Sequence, residues 1–104
     1  MTQDGGVITE HAELPVILGR EEEFERAFAL AKGIIAASRG FIDLTLSRGI
    51  ERPSSYLLLV HWESVEAHEQ GFRGSQAYAQ WTALLHEFYQ PAPTVEHFAE
   101  VASA

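Results

Sequence analysis

The sequence predicts an α+β fold in which helices cover one face of an antiparallel sheet. Three observations lead there. Several segments alternate apolar and polar residues with the two-residue period of a strand. Others carry apolar residues at helical spacing. Their order over 104 residues is strand, helix, strand, strand, helix pair, strand.

Val7–Val16 is the first expected strand, with Ile8, Ala12, Leu14 and Val16 on one face. Pro15 sits near its end, where a missing backbone donor is tolerated. Glu21–Ala37 reads as a helix, with Phe24, Phe28, Ala31 and Ile35 along one stripe. Glu21, Glu22 and Glu23 occupy the first turn, where the helix dipole favours negative charge; Gly40 is the expected stop. Phe41–Arg48 alternates Ile42, Leu44 and Leu46 against Phe41, Asp43, Thr45 and Ser47. After the Gly49–Ser54 loop, Tyr56–Trp62 is apolar on both faces, the mark of a strand covered on both sides. Ser64 is placed to cap a short helix over Val65–Gln70, which Gly71 to Gly74 should break. Ser75 caps the next helix, which runs to about Tyr89 with Tyr78, Trp81, Leu85 and Phe88 on one stripe. Pro91 and Pro93 follow it. Thr94–Val101 is the last strand, with Val95, His97, Ala99 and Val101 on one side.

This order is a ferredoxin-like βαββαβ arrangement. With helices on one face, the other face of the sheet is bare, and Leu57, Leu59 and His61 should lie on it. A second copy of the chain is the expected cover.

Composition narrows the functional classes. The apolar fraction of 46% supports one modest core, expected over about residues 7–101 of a single domain, with loose tails at 1–6 and 102–104. The chain has no cysteine, so disulfides and thiolate metal sites are excluded, in keeping with an expected cytoplasmic location. A net charge of −8 leaves no basic surface for nucleic acid or anionic membrane. No apolar run reaches the roughly 20 residues of a membrane span, and Met1–Gly6 lacks the features of a secretory leader. Phosphate-binding glycine motifs and a G-x-S-x-G elbow are absent. The histidines at 11, 61, 68, 86 and 97 show no metal-ligand spacing, so no metal is expected.

The stretch Tyr56–His68 ends a strand in Trp62-Glu63-Ser64 and continues into a short helix with Glu66-Ala67-His68. This resembles the signature of antibiotic biosynthesis monooxygenase (ABM) domains. Gly40-Phe41, the Phe72, Ser75 and Tyr78 spacing, and Val95 with His97-Phe98 are similar too. The resemblance spans roughly Val7–Val101. It implies a dimeric α+β barrel, with a pocket between each subunit's sheet and helices. It also implies oxidation of a small phenolic or quinol-like compound by O2 without flavin, metal or other cofactor.

Carried over residue by residue, the resemblance makes Trp62 a pocket residue. Leu58 stands where the polyketide oxidases use asparagine, an amino acid this sequence lacks altogether. His68 stands where they use tyrosine, Ser47 where they use histidine, and Thr82 near their arginine. A haem-degrading branch of the superfamily uses an asparagine, a tryptophan and a histidine; Gly71 and Thr82 fall near the last two positions.

These positions yield the candidate site. Trp62 is either a core anchor or a wall against a flat substrate. His68, with an ordinary imidazole pKa near 6.5, is the candidate base. Phe72, Tyr78 and His97 are candidate lining. Arg73 is placed to meet an anionic substrate or to pair with Glu69, four residues earlier. Two other functions suit the same fold: a non-catalytic dimeric module binding a small hydrophobic ligand or partner, and an isomerase-type proton-transfer enzyme.

Overall fold

A computed structural model describes residues 6–104. The expected loose N-terminal tail lies, for residues 1–5, outside the described residues. The order is β1 (Ile8–Pro15), α1 (Glu21–Ala36), β2 (Phe41–Arg48), β3 (Ser55–Trp62), a wide helical turn (Ala67–Phe72), α2 (Gln76–Leu85), a 3₁₀ turn (His86–Phe88) and β4 (Thr94–Ala99). The strands form one sheet, β2-β3-β1-β4, with every neighbouring pair antiparallel. This is the ferredoxin-like arrangement read from the sequence.

The helices pack on one face of the sheet. Phe24, Phe28, Ala31 and Ile35 of α1 are all buried, as their spacing predicts. They meet Leu14 and Val16 from the β1 side, Tyr56, Leu58, Val60 and Trp62 from β3, and Trp81, Leu85 and Phe88 from the α2 side in one continuous core. Burying each of the larger side chains of this stripe stabilises the fold by roughly 1.5–3 kcal/mol, and Tyr56 adds a hydrogen bond from β3 to the Glu25 carboxylate of α1. Along β3, buried residues alternate with half-buried Leu57, Leu59 and His61 on the opposite face.

Three local expectations are corrected. First, β2 does not keep one register. Phe41 lies opposite Trp62 and Asp43 opposite His61, leaving Ile42 as the extra residue of a bulge. The bulge turns Phe41 onto the core, edge-on to Trp62 with centroids 5.9 Å apart, and leaves Ile42 exposed. Second, Gly71 does not break the helix after β3. The turn widens to an i to i+5 pattern, with the Arg73 amide donating to the His68 carbonyl at 3.0 Å. That geometry buries both His68 and Phe72. Third, β4 stops at Ala99, and Val101 is almost fully exposed.

Both expected serine caps form. Ser64 Oγ accepts from the Ala67 amide at 3.0 Å, and Ser75 Oγ from the Tyr78 amide at 3.3 Å. Gly40 stands between α1 and β2 with φ of +87°, a conformation glycine adopts without a side-chain penalty. A β-carbon there would lie 2.5 Å from the Ala67 β-carbon. The Gly40 carbonyl also accepts from the Glu63 amide at 2.8 Å. Gly40 therefore lets the start of β2 press against the turn that carries His68.

Candidate active site

Strand parity decides what faces the helices at the centre of the sheet. Residue 10 shares the inner face of β1 with Ala12 and Leu14, so Glu10 points inward. It lies opposite Val60 of β3 on one side and His97 of β4 on the other. Glu10 and His68 are the two buried polar side chains among the described residues. The sequence reading passes over Glu10. The available signal is a carboxylate at an inward position of an otherwise apolar alternation.

Glu10 Oε1 accepts from Trp62 Nε1 at 2.9 Å and stands 3.3 Å from His68 Nε2. The His68 ring stacks on Trp62, with centroids 5.2 Å apart and planes at 20°. Its other nitrogen, Nδ1, is 2.8 Å from His97 Nε2. His97 Nδ1 in turn faces Glu69 Oε2 at 4.0 Å, beyond hydrogen-bond reach. Four ionisable groups thus run in file from the interior towards the surface.

Burial raises the Glu10 carboxyl above the usual range, opposed by the Trp62 N–H and by the positive charge of Arg73. Burial, Arg73 and His97 together push His68 down to about 4. At neutral pH His68 is therefore an uncharged ring and a weak base. The ordinary imidazole expected from the sequence does not exist at this position.

A cavity of about 50 Å³ opens beside this pair. Glu10, His68, Leu58, Phe72, Arg73 and Tyr78 lie on its wall. Phe72 meets Tyr78 edge-on at 5.4 Å and Trp81 at 5.7 Å, which makes one side aromatic. His86 and Tyr89, which the sequence reading did not single out as site residues, also reach the cavity. Burial pushes the His86 imidazole down and the Tyr89 phenol up, so both stay neutral near pH 7.

Four of the six sequence-predicted site residues, His68, Phe72, Arg73 and Tyr78, meet at this cavity. Trp62 and His97 do not line it. Trp62 is wholly buried, and its N–H holds Glu10. His97 stands at the outer edge of His68. Arg73 is exposed and makes no ion pair with Glu69 among the described residues.

The aromatic wall suits a flat apolar guest, and the carboxyl–imidazole pair can take up and move a proton. The described residues hold no cluster of three or more potential metal-ligating His, Cys, Asp or Glu side chains.

The family profile described as antibiotic biosynthesis monooxygenase matches residues 7–84. The chain is 50% identical over 95 residues to the uncharacterized protein YczJ of Bacillus subtilis (strain 168), covering 91% of this chain and all of that one. A solved structure from Bordetella bronchiseptica, named as a candidate antibiotic biosynthesis monooxygenase, superposes with a TM-score of 0.90 at 37% identity, over 93% of this chain and 99% of that one. SnoaB, a cofactor-independent oxygenase from Streptomyces nogalater, has the same fold at a TM-score of 0.74 and 23% identity, over 95% of each chain. Profile and sequence identity together place this chain in the antibiotic biosynthesis monooxygenase family.

Proposed function

We propose that this protein oxidises a small phenolic or quinol-like compound with O2 and without a cofactor. The observation that carries the reading is the aromatic-walled cavity with a buried carboxyl–imidazole pair at its side. The likeness to a cofactor-independent oxygenase supports it. In this reaction the substrate provides the electrons. Loss of a proton gives a phenolate or enolate, which passes an electron to O2. The two radicals combine to a peroxide anion, which takes up a proton. Where its carbon bears a hydrogen, loss of water leaves a carbonyl; a hydroquinone instead gives its quinone and H2O2. The protein's part is to exclude water, orient the ring and accept the proton.

Phe72 and Tyr78 hold the ring, and Arg73 faces an anionic oxygen on it. Leu58 makes that part of the wall apolar, so no side-chain amide directs the substrate there. Benzene occupies a cavity of about 150 Å³, so a cavity of about 50 Å³ requires Tyr78 and Arg73 to swing outward on binding. This favours single-ring or two-ring substrates over larger polycycles. The open sheet face, with Leu57 and Leu59 half-buried and Phe98 exposed, supports assembly as a homodimer.

Oxygen uptake with a panel of hydroquinones, naphthohydroquinones and anthrone-like phenols tests the reading. Uptake above autoxidation that His68→Ala abolishes is the expected result. Binding of the panel without oxygen consumption refutes the reading in favour of a binding module. Product formed equally well without oxygen refutes it in favour of an isomerase.

A further inference from the structure

The site contains a buried carboxyl whose retention calls for an explanation. A buried carboxylate without a cation is costly, and no Lys or Arg among the described residues lies within ion-pair distance of Glu10. Oε1 carries both of its neighbours, Trp62 Nε1 and His68 Nε2. Oε2 has no hydrogen-bond partner among the described residues, and the side chain borders the cavity. The His68–His97 contact then leads outward to a ring on an edge strand that retains 19% of its side-chain exposure.

We infer that Glu10 is the proton acceptor of this site and that His68 and His97 pass the proton from it to solvent. The inference rests on the oxygenase reading for the identity of the reaction, and on the contacts alone for the file. The substrate O–H or C–H proton goes to a carboxylate oxygen of Glu10. Rotation of the carboxyl group brings that proton to His68 Nε2, while His68 Nδ1 gives its own to His97 Nε2. His97 releases one proton from Nδ1 to water beside Glu69. One proton enters the file and one leaves. The reverse transfer, from water through His97 and His68 to Glu10, restores the first tautomers and supplies the proton that the peroxide anion takes up. His68 never has to hold two protons, which suits a ring that resists protonation. The remaining ionisable groups facing the pair are Arg73 just after the wide turn, Tyr78 on α2, and His86 and Tyr89 beyond it. Arg73 favours the ionised form of Glu10 and opposes charge on His68.

The test uses the full chain with Glu10→Gln and His97→Gln, each checked for folding by circular dichroism. On whichever quinol the wild type oxidises, Glu10→Gln should lower kcat by about 10²–10⁴-fold, the usual scale for losing a general base, with KM nearly unchanged. His97→Gln should lower kcat in dilute buffer and recover when imidazole is added, while the wild type ignores imidazole. Unchanged kcat in Glu10→Gln, or a His97→Gln defect that imidazole leaves in place, overturns the inference. Nitrogen-15 spectra of the histidine rings give a readout independent of turnover. Both variants should shift the His68 resonances and its titration. If the wild type consumes no oxygen, the oxygenase reading fails, and unmoved His68 resonances in both variants overturn the file separately. Should Glu10→Gln fail to fold, the His97→Gln measurements decide.

Discussion

The depressed pKa of His68 makes a quantitative prediction about stability and pH. The free imidazole titrates at 6.5, and in the folded chain burial, Arg73 and His97 hold it down to about 4. Below pH 6.5 the unfolded chain therefore binds a proton that the folded chain refuses. Stability from this group is complete at neutral pH and is lost as pH falls from about 6.5 to about 4. At about 1.4 kcal/mol for each pH unit, the full loss is on the order of 3 kcal/mol, with about 2 kcal/mol of it developed by pH 5. Glu10 acts in the opposite sense. Its raised folded pKa gives stability that is present at low pH and lost as pH rises through that value. The clean comparison is therefore Glu10→Gln against Glu10→Gln/His68→Gln, in which the carboxyl cancels. Urea denaturation at pH 7.5 and pH 5 should show the single variant losing about 2 kcal/mol more than the double variant. Parallel losses, within about 0.5 kcal/mol, would refute the claim that His68 is buried as a neutral ring.

Three further outcomes follow from the contacts. Gly40→Ala puts a methyl group against Ala67 at a positive φ and should destabilise the protein by about 1–3 kcal/mol; a urea midpoint equal to wild type rules out the close approach. Trp62→Phe removes the donor to Glu10 and should cost roughly 1–3 kcal/mol. It should also move the Glu10 carbon-13 titration upward, and a downward shift would contradict the assignment of that hydrogen bond. Leu59→Glu places a charge on the open face of β3 and should convert a dimer to monomer in light scattering at micromolar concentration. A wild type that is already monomeric refutes the proposed cover of that face.

Much of the scaffold can be read locally. The α1 stripe, the β3 alternation and both serine caps depend on residues a few positions apart, and periodicity reports those directly. The β2 bulge could not be read this way. Ile42 continues the alternation through Leu44 and Leu46, but Phe41 is the larger group, and Trp62 across the ladder supplies its packing partner. The wide turn was hidden for a similar reason. Gly71 reads as a breaker, yet Phe72 finds Trp62, Tyr78 and Trp81 around it, and the backbone widens to reach them.

The candidate site divides along the same line. His68, Phe72, Arg73 and Tyr78, which meet at the cavity, could be named from the sequence because they sit in a recognisable strand–turn–helix passage. Glu10 could not, because an acidic residue in the first strand carries no local sign of its neighbours. By itself the sequence determined the order of elements, which face of each is apolar, and the family. Only the tertiary structure decided that Glu10 lies between Val60 and His97, that Trp62 holds it from behind, and that His68 is too buried to titrate normally. The physical reason is that periodicity is a property of one segment, whereas register, burial and pKa belong to segments brought together from opposite ends of the chain.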